Sequence, residues 1–319
     1  MNLIVSEDKN PYRNLATEEF LLKNSSEDFI FLYINNPCVV IGKHQIAPKE
    51  INSIFTSNNN ILIARRLSGG GAVYHDTGNL NFSFIQTVHQ GENISYQQIT
   101  KTVHSFLKKS GFEVILSPRN DLLISENKIS GSAMHVYKNR VMAHCTLLVN
   151  CNLEHLSKSL KGNPERYQDR SINSYRTKVR NLADIDKQLT VDFLIRTYHE
   201  YLEELMPVQI KKLPDYSFSQ INQLCINKYS AEEWIYGYSP KYIYQNSIML
   251  AGKKISIVLE IEKGVIKKSD LESQIELNSD ILLIINALKE RNHNIQSVSR
   301  WLHKDFCKET SNQLLEFLF

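Results

Sequence analysis

The sequence predicts an α+β protein: a mixed sheet flanked by helices over residues 1–240, then a small α+β unit over residues 241–319. Three observations carry that expectation. Short apolar runs of β-forming residues dominate the first two thirds of the chain. Two long amphipathic stretches interrupt them, and after the WIYGYSP stretch at 234–240, which reads as a linker, strands come first and helices follow. A chain of 319 residues is long enough for one large domain and a small one.

Taken in order, residues 12–24 read as a helix with Leu15, Ala16, Phe20 and Leu22 marking its apolar side. FIFLYI (29–34) and CVVIG (38–42) read as strands divided by the turn Asn35-Asn36-Pro37, and ILIARRL (61–67) as another. LNFSFI (80–85) alternates, with Leu80, Phe82 and Phe84 on one face and Asn81 and Ser83 on the other. A helix follows at 95–110: Ser95 and Gln98 offer a capping box, Ile99, Val103, Phe106 and Leu107 supply one face, and Gly111 stops it. A meander of strands at 112–116, 121–125, 128–136 and 141–149 turns at Glu126-Asn127 and Lys138-Asn139. A second helix spans 191–205. In the tail, strands at 243–250, 254–261 and 265–267 precede helices at 279–290 and 309–317.

Composition narrows the function. A formal charge of +3 is far from the clustered positive field of a nucleic-acid binder and only weakly suits an acidic protein partner. The five cysteines are odd in number and none sits in a C-x-x-C pair, so free thiols in a reducing compartment are expected. The N-terminus lacks the basic start and apolar core of a signal peptide, and no apolar run is long enough to span a bilayer. A cytoplasmic enzyme with no membrane partner is the expectation.

The chemistry concentrates in three stretches. In RRLSGGGAVYHD (65–76), Gly69, Gly70 and Gly71 stand between two strands, where glycine weakens pairing but lets backbone N–H groups approach an anion. Arg65 and Arg66 alternate, so one would face a carboxylate or phosphate while the other serves the sheet or surface. Ser68, His75 and Asp76 add further polarity. In NDLLISENKISGSA (120–133), strand alternation would set Lys128, Ser130 and Ser132 on one face, a small polar surface suited to a phosphate or an oxyanion. Asn120-Asp121 fits a turn. In MAHCTLLVN (142–150), neighbours His144 and Cys145 point to opposite faces. Cys145 joins Ala143, Leu147 and Val149 as a buried thiol, and His144 fits a structural histidine or a ligand contact.

Together with VRNLAD (179–184), NLATEEFLLKN (14–24), VVIGKHQ (39–45) and EWIYGYSPKY (233–242), these motifs resemble, in order and spacing, the lipoate–protein ligase A family. The resemblance covers most of the chain. It implies a biotin/lipoate-ligase (class II synthetase-like) catalytic domain and a C-terminal accessory domain. The activity it implies is ATP-dependent activation of lipoate to lipoyl-AMP, then transfer to a lysine of apo lipoyl domains: the E2 subunits of 2-oxoacid dehydrogenases and the glycine cleavage H protein. By the same resemblance Lys128 is the catalytic cation touching both the lipoyl carboxylate and the α-phosphate. Arg66, Ser68, Gly69, Gly70, Gly71, Ala72, Val73, Tyr74 and Asp121 bind ATP or the adenylate. His75 and His144 contact lipoate, and Asp121 contacts Mg²⁺. Val39, Ile41 and residues near Phe82 are expected to line the slot for the lipoyl tail. Two departures leave alternatives open. MHVYKNR (134–140) replaces an arginine-bearing loop, with His135, Lys138 or Arg140 as stand-ins. Cysteine in HCTLL (144–148) fits an ATP-independent lipoyl- or octanoyltransferase using a Cys145 or Cys151 thioester, or a lipoyltransferase that uses lipoyl-AMP.

Overall fold

The structure, a computed structural model, describes residues 1–88, 96–118, 120–171, 174, 177–250, 253–273, 285–306 and 308–319. Ser95 with its expected capping box, residues 279–284 of an expected helix, and Cys307 lie outside these. In chain order the elements are β1 (Asn2–Val5), α1 (Pro11–Asn24), β2 (Phe29–Tyr33), β3 (Cys38–Ile41), β4 (Leu62–Arg65), β5 (Val73–His75) and β6 (Asn79–Thr87). Next come α2 (Tyr96–Lys109), β7 (Ile115–Leu116), β8 (Leu122–Ile124), β9 (Asn127–Lys128), β10 (Ser130–Tyr137), β11 (Arg140–Leu148), β12 (Tyr167–Gln168), α3 (Val191–Leu205), β13 (Gln209–Ile210) and α4 (Asp215–Leu224). The tail holds β14 (Tyr242–Leu250), β15 (Lys253–Glu262), β16 (Val265–Ser273), α5 (Ile295–Asp305) and α6 (Lys308–Leu318).

Six strands form a mixed sheet in the order β10-β11-β6-β2-β1-β13, with β1 parallel to both neighbours and the other pairs antiparallel. Alternation decides what covers each face. Leu80, Phe82 and Phe84 of β6 pack with Val103, Phe106 and Leu107 of α2 and Leu194, Tyr198 and Leu202 of α3. On the opposite face, Phe29, Phe31 and Tyr33 of β2 and Met142 of β11 meet Leu15, Ala16, Phe20 and Leu22 of α1. Helix α1 begins where Asn10 accepts hydrogen bonds from the Tyr12 and Arg13 amides and Pro11 fills the first turn. Helix α2 ends at Gly111, whose φ of +87° favours glycine.

A three-stranded sheet, β4-β3-β5, carries the glycine-rich turn between β4 and β5. A smaller one, β7-β8-β9, carries Lys128. The tail strands make a four-stranded sheet, β12-β14-β15-β16, in which β12 comes from the first part of the chain. Strand β16 runs to Ser273, well past the expected 265–267.

The stretch read as a linker is packed instead. Glu233–Gly237 forms a wide helical turn, and its carbonyls accept from Arg65, the β4 arginine directed away from the glycine turn. The Arg65 guanidinium is fully buried and, among the described residues, faces no carboxylate. It donates to Trp234 O (2.9 Å), Ile235 O (3.0 Å), Gly42 O (3.1 Å), Lys43 O (2.9 Å), Gln45 O (2.7 Å) and Ser239 Oγ (3.0 Å). Burial pushes it down to about 10, so it stays cationic at neutral pH. The two arginines take opposite faces, as strand alternation predicts.

Removing a buried, fully hydrogen-bonded cation strands its acceptors. Arg65→Met should therefore cost about 3–5 kcal/mol in urea unfolding. Unchanged stability would show that these bonds are not essential to the fold.

Candidate functional site

A cavity of about 250 Å³ opens between the glycine turn and the β8–β10 region, lined by Leu15, Tyr33, Val40, Arg66, Val73 and Lys128, among others. Strand alternation explains which apolar residues reach it, and corrects one expectation. Val39 and Ile41 pack away from the cavity with Ile63 and Tyr74, and Val40 lines the space instead; near Phe82, itself in the core under α3, Asn81 lines it as expected. A one-residue change of parity moves a side chain to the other face.

Lys128 stands at the mouth. Its Nζ is 2.9 Å from Asp121 Oδ1, the two side chains being 25% and 18% exposed. Asn120, at φ +62°, forms the expected turn. The backbone of Lys128 is fixed on both edges: it pairs with Leu123 of β8, and exchanges hydrogen bonds with Lys178 O, just before the VRNLAD segment, and Arg180 N within it. The expected continuous strand 128–136 is broken at Ile129, where the chain passes from the small sheet to the large one. Ser130 therefore leaves the polar face: it is buried, and its Oγ accepts from the Leu122 amide. Gly131 instead lies under the lysine, where a Cβ would come 3.9 Å from Lys128 Cε and 3.7 Å from Val73 Cγ1.

The glycine turn is shaped by close approach. A Cβ on Gly42 would sit 2.0 Å from Gly70 O, and Gly70 itself has φ +88°. Arg66 braces the turn by donating to Val40 O (3.0 Å), Gly69 O (2.6 Å), Gly71 O (2.8 Å) and Ser68 Oγ (3.0 Å). Gly71, Ala72 and Val73 line the cavity, while the Tyr74 side chain is buried on the other face. Ser174 closes on this turn: its Oγ accepts from Ala72 N (2.9 Å) and Gln45 Nε2 (3.1 Å) and donates to Glu50. Burial raises the Glu50 carboxyl against the lowering effect of Ser174.

Ser68 points inward, 2.6 Å from His144 Nε2; His144 Nδ1 lies 3.2 Å from Glu18 Oε1, which also accepts from Tyr33 OH (3.1 Å). Ser68 and His144 thus meet in one buried chain that both helix α1 and β11 hold. His75 is also buried, with Nδ1 3.0 Å from Asn35 Nδ2. Burial, then the nearby Arg66, pushes it down to about 3. Asp76 serves the following turn, accepting from Gly78 N and Asn152 N.

The stand-ins for the missing arginine separate. Arg140 is buried at the far end of the hairpin, bound to Thr87 Oγ1 (2.8 Å) and Glu27 O (2.7 Å), away from the cavity lining. Lys138 lies over Tyr137 at the hairpin tip, and His135 is half-buried beside Lys43 and Lys23. Cys145 and Cys151 are buried, and burial raises both thiols, Cys145 to about 12. Cys38, Cys145, Cys151 and Cys225 are free thiols. Among the described residues no three His, Cys, Asp or Glu side chains gather into a metal site. Sequence reasoning missed Glu18, Asn35, Gly42, Gln45 and Ser174. Glu18 had a signal, a carboxylate at helical spacing between Leu15 and Leu22 on an apolar face; Ser174, in an irregular stretch, had none.

Residues 10–203 match the family described as the lipoyl protein ligase A/B catalytic domain. The chain is 32% identical over 295 residues to lipoate–protein ligase 1 of Staphylococcus aureus strain Mu50, spanning 92% of this chain and 90% of that protein. A lipoate–protein ligase A structure with bound ATP superposes with a TM-score of 0.63 at 26% identity, covering 74% of this chain and 98% of that one. A bi-partite lipoate protein ligase from Thermoplasma acidophilum, studied with its E2 lipoyl domain, gives a TM-score of 0.62 at 25% identity, covering 74% of this chain and 96% of that one. Both share the α+β arrangement of sheets and flanking helices.

An unfolded histidine titrates near 6.5 whereas buried His75 does so near 3, so on acidification the unfolded chain takes the proton first. The stability that comes from keeping His75 neutral is whole above about pH 6.5 and drains as pH falls toward 3, at up to about 1.4 kcal/mol per pH unit. Urea unfolding at pH 7 and pH 5 should show this loss, and His75→Gln should reduce it; an equal loss in the variant would assign it elsewhere.

Proposed function

The chain belongs to the lipoyl protein ligase A/B family and is a lipoate–protein ligase, and from that premise we propose that it works by adenylation, with Lys128 as its pivotal cation. In the first step the lipoate carboxylate attacks the α-phosphate of ATP and pyrophosphate leaves, giving lipoyl-AMP. In the second, the ε-amine of an acceptor lysine attacks the lipoyl carbonyl and AMP leaves. No enzyme nucleophile is needed. The single observation that carries this reading is the cavity that Lys128 and the Gly71–Val73 turn line together, where one cation could serve two anions. Holding carboxylate and phosphate in attack geometry is worth about 7–11 kcal/mol, and a lysine shared by both stabilises the charge as it moves between them.

Arg66, Ser68, Gly69, Gly70, Gly71, Ala72, Val73 and Tyr74 take the nucleotide, chiefly through backbone amides that Arg66 holds in register. For these amides to serve, the Ser174 hydroxyl must release Ala72. The apolar tail enters between Leu15, Tyr33, Val40 and Val73, with His75 and His144 toward its buried end. Asp121 is a lone carboxylate at the mouth, which suits Mg²⁺ arriving with the nucleotide phosphates better than a cage made by protein alone. Such an ion would neutralise phosphate charge. Residues 1–240 form the catalytic domain in this reading and residues 241–319 an accessory domain. The acceptors are apo lipoyl domains of 2-oxoacid dehydrogenase E2 subunits and the glycine cleavage H protein, and the reaction belongs in the cytoplasm. No helix among the described residues is long and apolar enough to cross a membrane.

A thioester transferase on the same fold is disfavoured by the thiols themselves. A nucleophilic cysteine needs an accessible, readily formed thiolate, and Cys145 and Cys151 are buried with raised values.

Incubating the protein with lipoate, ATP and Mg²⁺ should form AMP coupled to lipoylation of an apo lipoyl domain. Lys128→Ala should lower the rate at least about 100-fold. Cys145→Ala and Cys151→Ala should each stay within about three-fold of wild type; acyl transfer that needs no ATP and is lost in either variant would favour the thioester route.

A further inference from the structure

Gly131 has none of the structural reasons for being a glycine. It lies within β10, where a glycine weakens the strand and marks a bulge, a sharp bend, the close approach of another backbone, or a ligand. The register of β10 with β11 runs from Ser130 to Tyr137 without a shift, so there is no bulge. The chain passes from one sheet to the other at Ile129, two residues earlier, and Gly131 is not among the glycines of positive φ, so an ordinary residue can adopt its backbone. Among the described residues no backbone presses on it either. A Cβ on Gly78 or Gly162 would meet a carbonyl oxygen at 2.1 or 2.0 Å. One on Gly131 would meet side chains at ordinary contact distance: Thr146 Cγ2 and Val73 Cγ1 at 3.7 Å, and Lys128 Cε at 3.9 Å. The fold has room for an alanine, and alanine would strengthen the strand.

The space that the missing methyl would fill belongs to the cavity. Gly131, Thr146, Val73 and Lys128 all line it, so one methyl at 131 would touch both the Lys128 wall and the glycine-turn wall. It would do so at the cationic end, since Lys128 Cε carries the Nζ that lies 2.9 Å from Asp121 Oδ1. Two residues on, Ala133 lines the same cavity and carries its methyl, so the need for a bare Cα is local to 131. We infer that Gly131 is bare because the reacting groups use that volume: the acyl carboxylate and the α-phosphate meet against its Cα, beside Lys128. The inference rests on the ligase reading for the identity of those groups. In that step a carboxylate oxygen bonds to phosphorus and pyrophosphate leaves; Gly131 gives and takes no proton and acts only by letting the two reactants close up at the lysine. Parting reactants by about 1 Å costs about 100-fold in rate, and a methyl that touches both walls parts them by that order.

The test is Gly131→Ala in the full chain, read three ways. Melting temperature reports the fold, calorimetry without nucleotide reports lipoate affinity, and lipoate-dependent exchange of labelled pyrophosphate into ATP with Mg²⁺ follows adenylation alone. The variant should melt at or above the wild-type temperature. It should bind lipoate within about three-fold of wild type, because the acyl tail keeps its contacts. Its exchange kcat should fall about 100-fold while KM for ATP stays within about three-fold. A lower melting temperature, or a variant that does not fold, would give the glycine to the strand and overturn the inference. A loss of lipoate affinity as large as the loss of rate would put the acyl tail over Gly131 rather than the reacting junction, and would overturn it too. Exchange in the wild type that the methyl leaves untouched sinks the inference alone, whereas no exchange in the wild type sinks the ligase reading and the inference with it.

Discussion

One buried guanidinium joins the parts of this protein that must stay in register. Arg65 takes carbonyls from the turn after β3, 23 residues before it, and from the wide helical turn at Glu233–Gly237, 170 residues after it. It has no counter-charge. Its desolvation is offset only because every face of the fork meets an oxygen, which demands that these segments arrive in one geometry. The β4 strand that carries Arg65 continues into Arg66 and the glycine turn, so the same demand fixes the backbone of that turn. Gly42, pressed against Gly70 O, shows how little slack remains.

A second constraint acts on the other wall of the cavity. Lys128 is held by its backbone rather than its side chain, between β8 and the VRNLAD segment, so the strand must end there and restart in another sheet. Lys128 lines the cavity together with the glycine turn, its ammonium beside Asp121. Among the described residues the side chain pairs with one carboxylate, Asp121. Fixed backbone with an adjustable cation is the arrangement that a reaction moving charge between two anions calls for.

Much of this was legible in the sequence, for identifiable reasons. The alternation of β6 and the helical period around Val103–Leu107 and Leu194–Leu202 each report burial against one face, so the layers followed. The Arg65/Arg66 split and the back-to-back placement of His144 and Cys145 needed only strand parity. Parity failed where a strand was assumed continuous: across Ile129 it misplaced Ser130. Val39 and Ile41 were named for the slot by their apolar character alone, which does not tell one face of β3 from the other. WIYGYSP read as a linker because its aromatic residues have no period, yet its carbonyls were the missing acceptors of Arg65. Asn35, Gln45 and Ser174 act through contacts with residues distant in sequence, and neither composition nor spacing records such partners.

The pairing of Tyr167–Gln168 with β14 means that the tail is not a bead on a string. Its four-stranded sheet borrows one strand from the first part of the chain, and Tyr167 is buried there among Tyr242 and Tyr244. Were the polypeptide severed near residue 240, each fragment would carry half of a complementary joint: the larger a short protruding strand, the smaller an edge waiting for it. Two separately made pieces would then have a built-in means of reassembly by strand addition. Covalent continuity would be a convenience of this architecture rather than a requirement.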